Sequence, residues 1–256
     1  MRTKLRDILE RHVRELPPGR RLRQELATAS IERFADGRPL RVLDAGSGEG
    51  LLATSLGRSH PDWTVDAVDL SEEALALGRK LAEERHASNV RFMRADVTEP
   101  LGTSIYDAVA ALECLLEIEA DETALASVAR ALRPGGLLVA HVPERDWKPL
   151  LRSSRPTWKL EVRHGYGKDE IVSLVARAGL RVERITPTTR GTLQLAEEMR
   201  DRVRNARLVV RAAALTVVRT ALLLERAGLT WGPARGFYLE ARKPLEENEP
   251  VPGAAV

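Results

Sequence analysis

Arg41-Val42-Leu43-Asp44-Ala45-Gly46-Ser47-Gly48-Glu49-Gly50 is the stretch on which the fold turns. A short apolar run ends in an aspartate, and glycines then fill three alternate positions. Glycine lets a chain turn sharply and brings backbone N–H groups close to a ligand at a helix start. The stretch therefore reads as a buried strand, a ligand-binding turn and the first turn of a helix. Two phosphate-binding patterns fail on it. The dinucleotide pattern G-x-G-x-x-G needs glycine at its sixth position, where Leu51 stands. The P-loop needs Gly-Lys-Ser/Thr, which is absent.

Outward from this loop, strand-length apolar runs alternate with helical stretches. The runs cover 40–43, 64–69, 90–94, 106–111 and 136–142, with further strands expected at 180–186 and 235–242. Segments long enough for crossover helices separate the first five, which predicts parallel strands joined by βαβ units. Ser71 followed by Glu72 and Glu73 supplies a capping hydroxyl and two anions for a helix N-terminus. Arg133-Pro134-Gly135-Gly136 stops the helix that begins near Asp121 and turns the chain into the fifth strand. Upstream, Pro17-Pro18-Gly19 divides two helices expected at 2–16 and 20–35.

Carboxylates mark the strand ends. Asp69 closes the second strand, 23 residues after Gly46, where doubly wound folds hold ribose hydroxyls. Asp96, in Arg94-Ala95-Asp96-Val97, lies just past the third strand. The fourth, Tyr106-Asp107-Ala108-Val109-Ala110-Ala111, runs into Leu112-Glu113. Each acid also has a structural alternative: Asp44 and Asp69 as helix caps, Asp96 as the start of a turn.

Taken in order over roughly residues 38–186, these elements resemble the class I methyltransferases that use S-adenosylmethionine (SAM). The resemblance implies an α/β fold with a doubly wound, mostly parallel seven-stranded sheet, helices on both faces and an antiparallel last strand. It implies SAM as cofactor and S-adenosylhomocysteine as product. Gly46, Ser47 and Gly48 would lie against the methionine part, and Asp44 would hold the loop and the ammonium group. Asp69 would bind the ribose hydroxyls, with Leu70 on the adenine. Asp96 would accept from the adenine amino group, and the Val97 N–H would face the ring. Glu113 would stand near the methyl end.

SAM carries an already activated methyl group, so aligning the acceptor is the main task, worth on the order of 7–11 kcal/mol. A general base is needed only if the acceptor must first lose a proton. His141, at the end of the fifth strand, is the base candidate, with bonding to a neighbouring loop as its structural alternative. His164, in Val162-Arg163-His164-Gly165-Tyr166, is the second candidate, for shaping the pocket more than for moving protons. Residues 143–160 would lie over the strand ends. There Trp147 and Trp158 would wall a pocket, and Arg145, Arg152, Arg155 and Arg163 would meet an anionic acceptor.

The expected organisation is a helical extension at 1–37, a SAM-binding core at 38–187, a helical insertion at 188–230, the last strand at 231–244 and a disordered tail at 245–256. The insertion holds no glycine or proline between Gly191 and Gly228 and reads as one long helix or two shorter ones. Arg200, Arg204, Arg207 and Arg211 recur at helical spacing as one basic face. A membrane span is disfavoured, because buried arginines cost about 2.5–3.5 kcal/mol each on insertion scales. A cap over the site, a homodimer contact and membrane-surface docking through 192–227 remain open.

Composition narrows the partners. With 40 Lys and Arg against 37 Asp and Glu, the formal charge of the 256 residues is only +3, and aromatics are 4%. No basic-and-aromatic interleaving points to nucleic acid. Cys114 is the single cysteine, so neither a disulfide framework nor a cysteine zinc site is available. No metal is expected, and the cytoplasm is the expected location. After the fourth strand stands Leu112-Glu113-Cys114-Leu115 rather than the Asn-Pro-Pro-Tyr type typical of base or amide-nitrogen methylation. The expected activity is methyl transfer to an oxygen or nitrogen of a small molecule such as a sugar, lipid or secondary metabolite. The rival is a non-catalytic SAM-binding protein whose insertion serves assembly.

Overall fold

Strand β1 (Arg41–Ala45) has four of its five residues buried, as a central parallel strand requires. It pairs in parallel with β2 (Thr64–Asp69) on one side and β4 (Tyr106–Leu112) on the other. The computed structural model describes residues 17–151, 162–203 and 205–245. The helix expected at 2–16, Arg152, Arg155, Trp158, Arg204 and the tail from 246 lie outside the described residues. Strand β3 (Val90–Arg94) forms one edge, and β5 (Leu132–Pro143), β7 (Gly236–Arg242) and β6 (Arg181–Thr188) complete the order β3-β2-β1-β4-β5-β7-β6. Strand β7 is antiparallel to both neighbours. Chain direction out of the centre reverses between β1 and β4, so their C-terminal ends border the crevice where open α/β sheets take ligands.

Side-chain alternation gives the sheet two apolar faces. Val42, Val65, Ala108 and Val139 meet α1 (Pro18–Ala35) and α2 (Leu51–Ser59) through Ile31, Ala35, Leu52 and Leu56. Leu43, Val68, Val109 and Leu138 belong with α4 (Asp121–Ala131) and α5 (Lys168–Arg177), through Leu125, Val128, Ile171 and Leu174. Helix α3 (Glu72–Glu84) begins as expected, with the Ser71 hydroxyl accepting from the Ala74 N–H at 3.2 Å.

Two expectations shift in detail. The Arg133-Pro134-Gly135-Gly136 segment bulges out of β5 instead of preceding it. Tyr106 pairs with Leu132 and Ala108 with Leu137, so four residues of β5 stand opposite Asp107 alone and three of them are extra. Gly135, at φ +74°, lets the bulge fold back so that its N–H donates to the Lys243 carbonyl at 2.9 Å. The insertion is two helices, α6 (Gly191–Arg202) and α7 (Leu208–Arg226). Arg200 and Arg211 therefore stand on different helices, and the basic series does not form one helical face. Both helices pack on α1, where Leu193, Ala196, Val218 and Leu222 enclose Leu22.

Candidate functional site

Gly46, Gly48 and Gly50 all adopt left-handed backbone angles, at φ +68°, +53° and +60°. At Gly46 a Cβ would lie 2.3 Å from that of Cys114, so the loop is pressed against the short 3₁₀ turn Cys114–Glu117 that follows β4. At Gly50 it would strike the Phe92 ring at 2.3 Å. Gly48 differs: nothing lies within 4 Å of its missing Cβ, so open space adjoins the middle of the loop. Glycine is thus demanded by packing at two positions and by conformation at all three.

Asp69 ties this loop to the start of α3. Its Oδ2 accepts the Gly48 N–H at 2.7 Å and its Oδ1 accepts the Ser71 N–H at 2.9 Å. Each oxygen keeps a lone pair for another donor. Leu70, next in the chain, is 57% exposed. Asp44 is buried, and its Oδ2 accepts the Ala53 N–H of α2 at 3.2 Å. Burial pushes its carboxyl up to about 7, and the negative charge of Asp69 adds to the effect. The Ser47 hydroxyl is buried with no hydrogen-bond partner among the described residues. Asp96 Oδ1 accepts from the Thr98 N–H and hydroxyl at 2.9 and 2.7 Å, which lowers its pKa; Val97 beside it is buried.

The loop and the strand ends beside it thus combine two neighbouring carboxylates, an unpartnered hydroxyl, free room at Gly48 and a bare leucine. That set suits a ligand with a cationic part, hydroxyl donors and an apolar ring. SAM has all three, so the residues present fit it.

Beyond β4 and β5 lies a second, denser cluster. Glu113, at φ +66°, takes an ion pair from Arg23 of α1 at 2.6 Å. His141 Nδ1 stands 3.5 Å from Glu113 Oε1, too long for a formed hydrogen bond, and its Nε2 meets the Thr188 hydroxyl at 2.8 Å. The His141 ring is 3% exposed and lies against Gly236. Burial lowers its pKa to about 4, only partly opposed by Glu113, and the imidazole is neutral at pH 7. For Glu113, burial works toward a higher pKa, but Arg23 and His141 outweigh it and hold the carboxyl at about 2. Arg23 itself is lowered by burial.

The insertion closes over this cluster. Glu197 of α6 accepts the Gly19 N–H at 2.6 Å and pairs with Arg235 at 3.0 Å; Arg235 lies 4.4 Å over the Trp147 ring. Glu198 accepts the N–H groups of Leu150 and Leu151 at 3.0 and 2.7 Å. Gln194 donates to the Lys148 carbonyl at 2.8 Å. Trp147 therefore does border the region. Arg145 and Arg163 do not turn to it: Arg145 pairs with Glu170, and Arg163 with Asp121 at 2.9 Å. His164 is exposed on the segment before α5, whereas its neighbour Tyr166 is buried and donates to Asp121 at 2.9 Å. Arg23, Thr188, Glu197 and Arg235 were not singled out in the sequence, where nothing sets these arginines apart from more than thirty others.

This sheet order, with an antiparallel seventh strand and a glycine turn at the switch point, defines a class I SAM-dependent methyltransferase fold. Residues 42–136 match the family model described as "Methyltransferase domain". A release factor glutamine methyltransferase of Bacteroides thetaiotaomicron is 36% identical over 160 residues, 57% of this chain and 55% of that protein. A ribosomal protein uL3 glutamine methyltransferase of Xanthomonas campestris is 37% identical over 86 residues, 33% of this chain and 28% of that protein. The chain thus spans from about a quarter to about half of these relatives. Among solved structures, a Burkholderia thailandensis 1,6-didemethyltoxoflavin N1-methyltransferase, with its substrate and S-adenosylhomocysteine bound, superposes at TM-score 0.56. It is 22% identical, with 87% of this chain and 78% of that one covered. No helix among the described residues is long and apolar enough to cross a membrane.

Proposed function

We propose that this protein transfers the methyl group of SAM to an oxygen or nitrogen of a small-molecule acceptor. The observation that carries the proposal is the junction of the open Gly48 turn with Asp44 and Asp69 at the switch point of the sheet. SAM, when bound, supplies a methyl group that leaves on attack by an acceptor lone pair. Asp69 accepts the ribose hydroxyls, Leu70 supports the adenine, and Asp96 with the Val97 N–H reads the edge of the ring. Gly46 and Ser47 flank the methionine part, and Asp44 as carboxylate faces its ammonium group.

Glu113, fixed by Arg23, borders the methyl end. His141 is buried between Glu113 and Thr188, which suits holding that wall in place better than taking a proton from an acceptor. Rate enhancement then comes chiefly from alignment and exclusion of water. His164, exposed on the segment before α5, is assigned to shaping the acceptor pocket rather than to moving protons.

The similarity to release factor and ribosomal protein glutamine methyltransferases supports a second reading, a glutamine side chain of a protein as acceptor. Against it stands Leu112-Glu113-Cys114-Leu115, where an ion-paired carboxylate takes the place after β4. Incubation with methyl-labelled SAM and a cell extract separates the readings. Label in the low-mass fraction supports the small-molecule acceptor, and label in acid-precipitable protein supports the second. Binding of SAM without any label transfer would favour a non-catalytic role.

A further inference from the structure

Arg20 sits half-buried in the first turn of α1, and its guanidinium has no hydrogen bond or ion pair among the described residues. The other three arginines of that helix are all engaged, Arg21 with Glu25, Arg23 with Glu113 and Arg33 with Glu240. A half-buried charge gives up hydration and needs a partner in return.

Its position indicates where that partner lies. Arg20 and Arg23 are three residues apart and share one face of α1. From that face Arg23 reaches Glu113 at 2.6 Å, and the next residue, Cys114, lies against Gly46 of the loop after β1. The same turn of the helix is held by the insertion, through the Gly19 N–H on Glu197 at 2.6 Å. Arg20 therefore stands on the side of α1 that faces the loop. Its charge is felt in both directions, favouring the ionised form of buried Asp44 and opposing the charged form of Arg23.

The methionine part of SAM is an amino-acid zwitterion. Its ammonium and carboxylate share one carbon, so an ammonium group facing Asp44 brings the carboxylate in beside it. Asp44, Asp69 and Glu113 all repel that carboxylate, which needs a cation. Arg23 and Arg235 are committed to Glu113 and Glu197, at 2.6 and 3.0 Å. Arg20 is the uncommitted guanidinium beside Asp44, and its planar fork matches a carboxylate. The Ser47 hydroxyl, buried and unpartnered, is a second donor.

We propose that Arg20 binds the α-carboxylate of the cofactor's methionine part, which makes the N-terminal helix a wall of the cofactor site. One face of α1 then holds the cofactor through Arg20 and steadies Glu113 at the methyl end through Arg23. The inference rests on the methyl-transfer reading of the site and gives a role to a residue that reading leaves unused.

The test is titration calorimetry of the full chain with SAM and with decarboxylated SAM, which keeps the sulfonium and the amine but lacks the carboxylate. The native protein should bind SAM about ten- to a hundredfold more tightly, the range for hydrogen bonds to a charged group. Arg20→Gln should remove most of that preference by weakening SAM alone. Decarboxylated SAM should bind the variant as well as before or better, since a cation beside a cationic ligand is gone. Its binding also checks that the fold is kept. Arg20→Lys should retain part of the preference. A native protein that binds both compounds alike would overturn the inference. So would an Arg20→Gln variant that loses both equally, or one whose SAM affinity is unchanged. A native protein that binds neither would overturn the methyl-transfer reading itself, and this inference with it.

Discussion

Asp69 and Glu113 show how differently two strand-end carboxylates can be employed. Asp69 spends one lone pair of each oxygen on its own backbone and keeps the others. Asp69→Ala should weaken SAM binding by roughly 1.5–3 kcal/mol, the usual worth of hydrogen bonds to a charged group. Titration calorimetry reads it, and an unchanged dissociation constant would remove Asp69 from the site. Part of the loss would come from a loosened Gly48 loop, so Asp69→Asn, which keeps an acceptor, should lose less. Glu113 instead neutralises a buried guanidinium. Glu113→Ala leaves Arg23 without its partner and should lower stability by on the order of 3 kcal/mol in urea unfolding. Arg23→Met together with Glu113→Leu should recover much of that loss, because two apolar groups leave no charge unpaired. The sequence pointed to both acids, since each follows an apolar run. It could not reveal the role of Glu113, because Arg23 is one arginine in a helix full of them and reaches the site only through the packing of α1 on the sheet.

At the scale of elements, strands were the most legible feature. Runs such as 64–69 and 90–94 are bounded by turn residues and are too short for helices, which leaves few other ways to place them. The bulge at 133–136 was visible as a breaker but not as an excursion within a strand. That outcome depends on pairing with β4 and on the Lys243 contacts, neither of which is local. In the insertion, helical periodicity runs through 200–211 without a glycine or proline, so nothing local announced the break between α6 and α7. Tertiary packing sets it: each helix must lay its own apolar side on α1. Leu193, fully buried in that small cluster, should be its keystone. Leu193→Ala should cost about 2–5 kcal/mol in denaturant unfolding. It should also raise amide exchange in α6 and α7 before the strands, as the cluster is separate from the two main cores. Uniform protection across the chain would show instead that insertion and sheet unfold as one.

For the molecule as a whole, ionisation couples the fold to its ligand. In the free protein Asp44 is raised to about 7, so its contribution to stability is full at low pH and is lost as pH rises through that value. His141 and Glu113, lowered to about 4 and about 2, work the other way: their contributions are full above their ordinary values of 6.5 and 4.5 and are lost on acidification. The acid side is therefore limited by the cluster around β5, and the neutral range by the loop after β1. A cationic ligand at Asp44 reverses the second effect, because it favours the carboxylate. Below pH 7 SAM should then displace a proton as it binds, and its affinity should rise with pH by up to about tenfold per unit before levelling off. Calorimetry at about pH 6 in two buffers of different ionisation enthalpy reads the proton directly. Asp44→Asn should abolish both the proton release and the slope. If the native protein released no proton at that pH, the ammonium group of SAM would have to face some group other than Asp44.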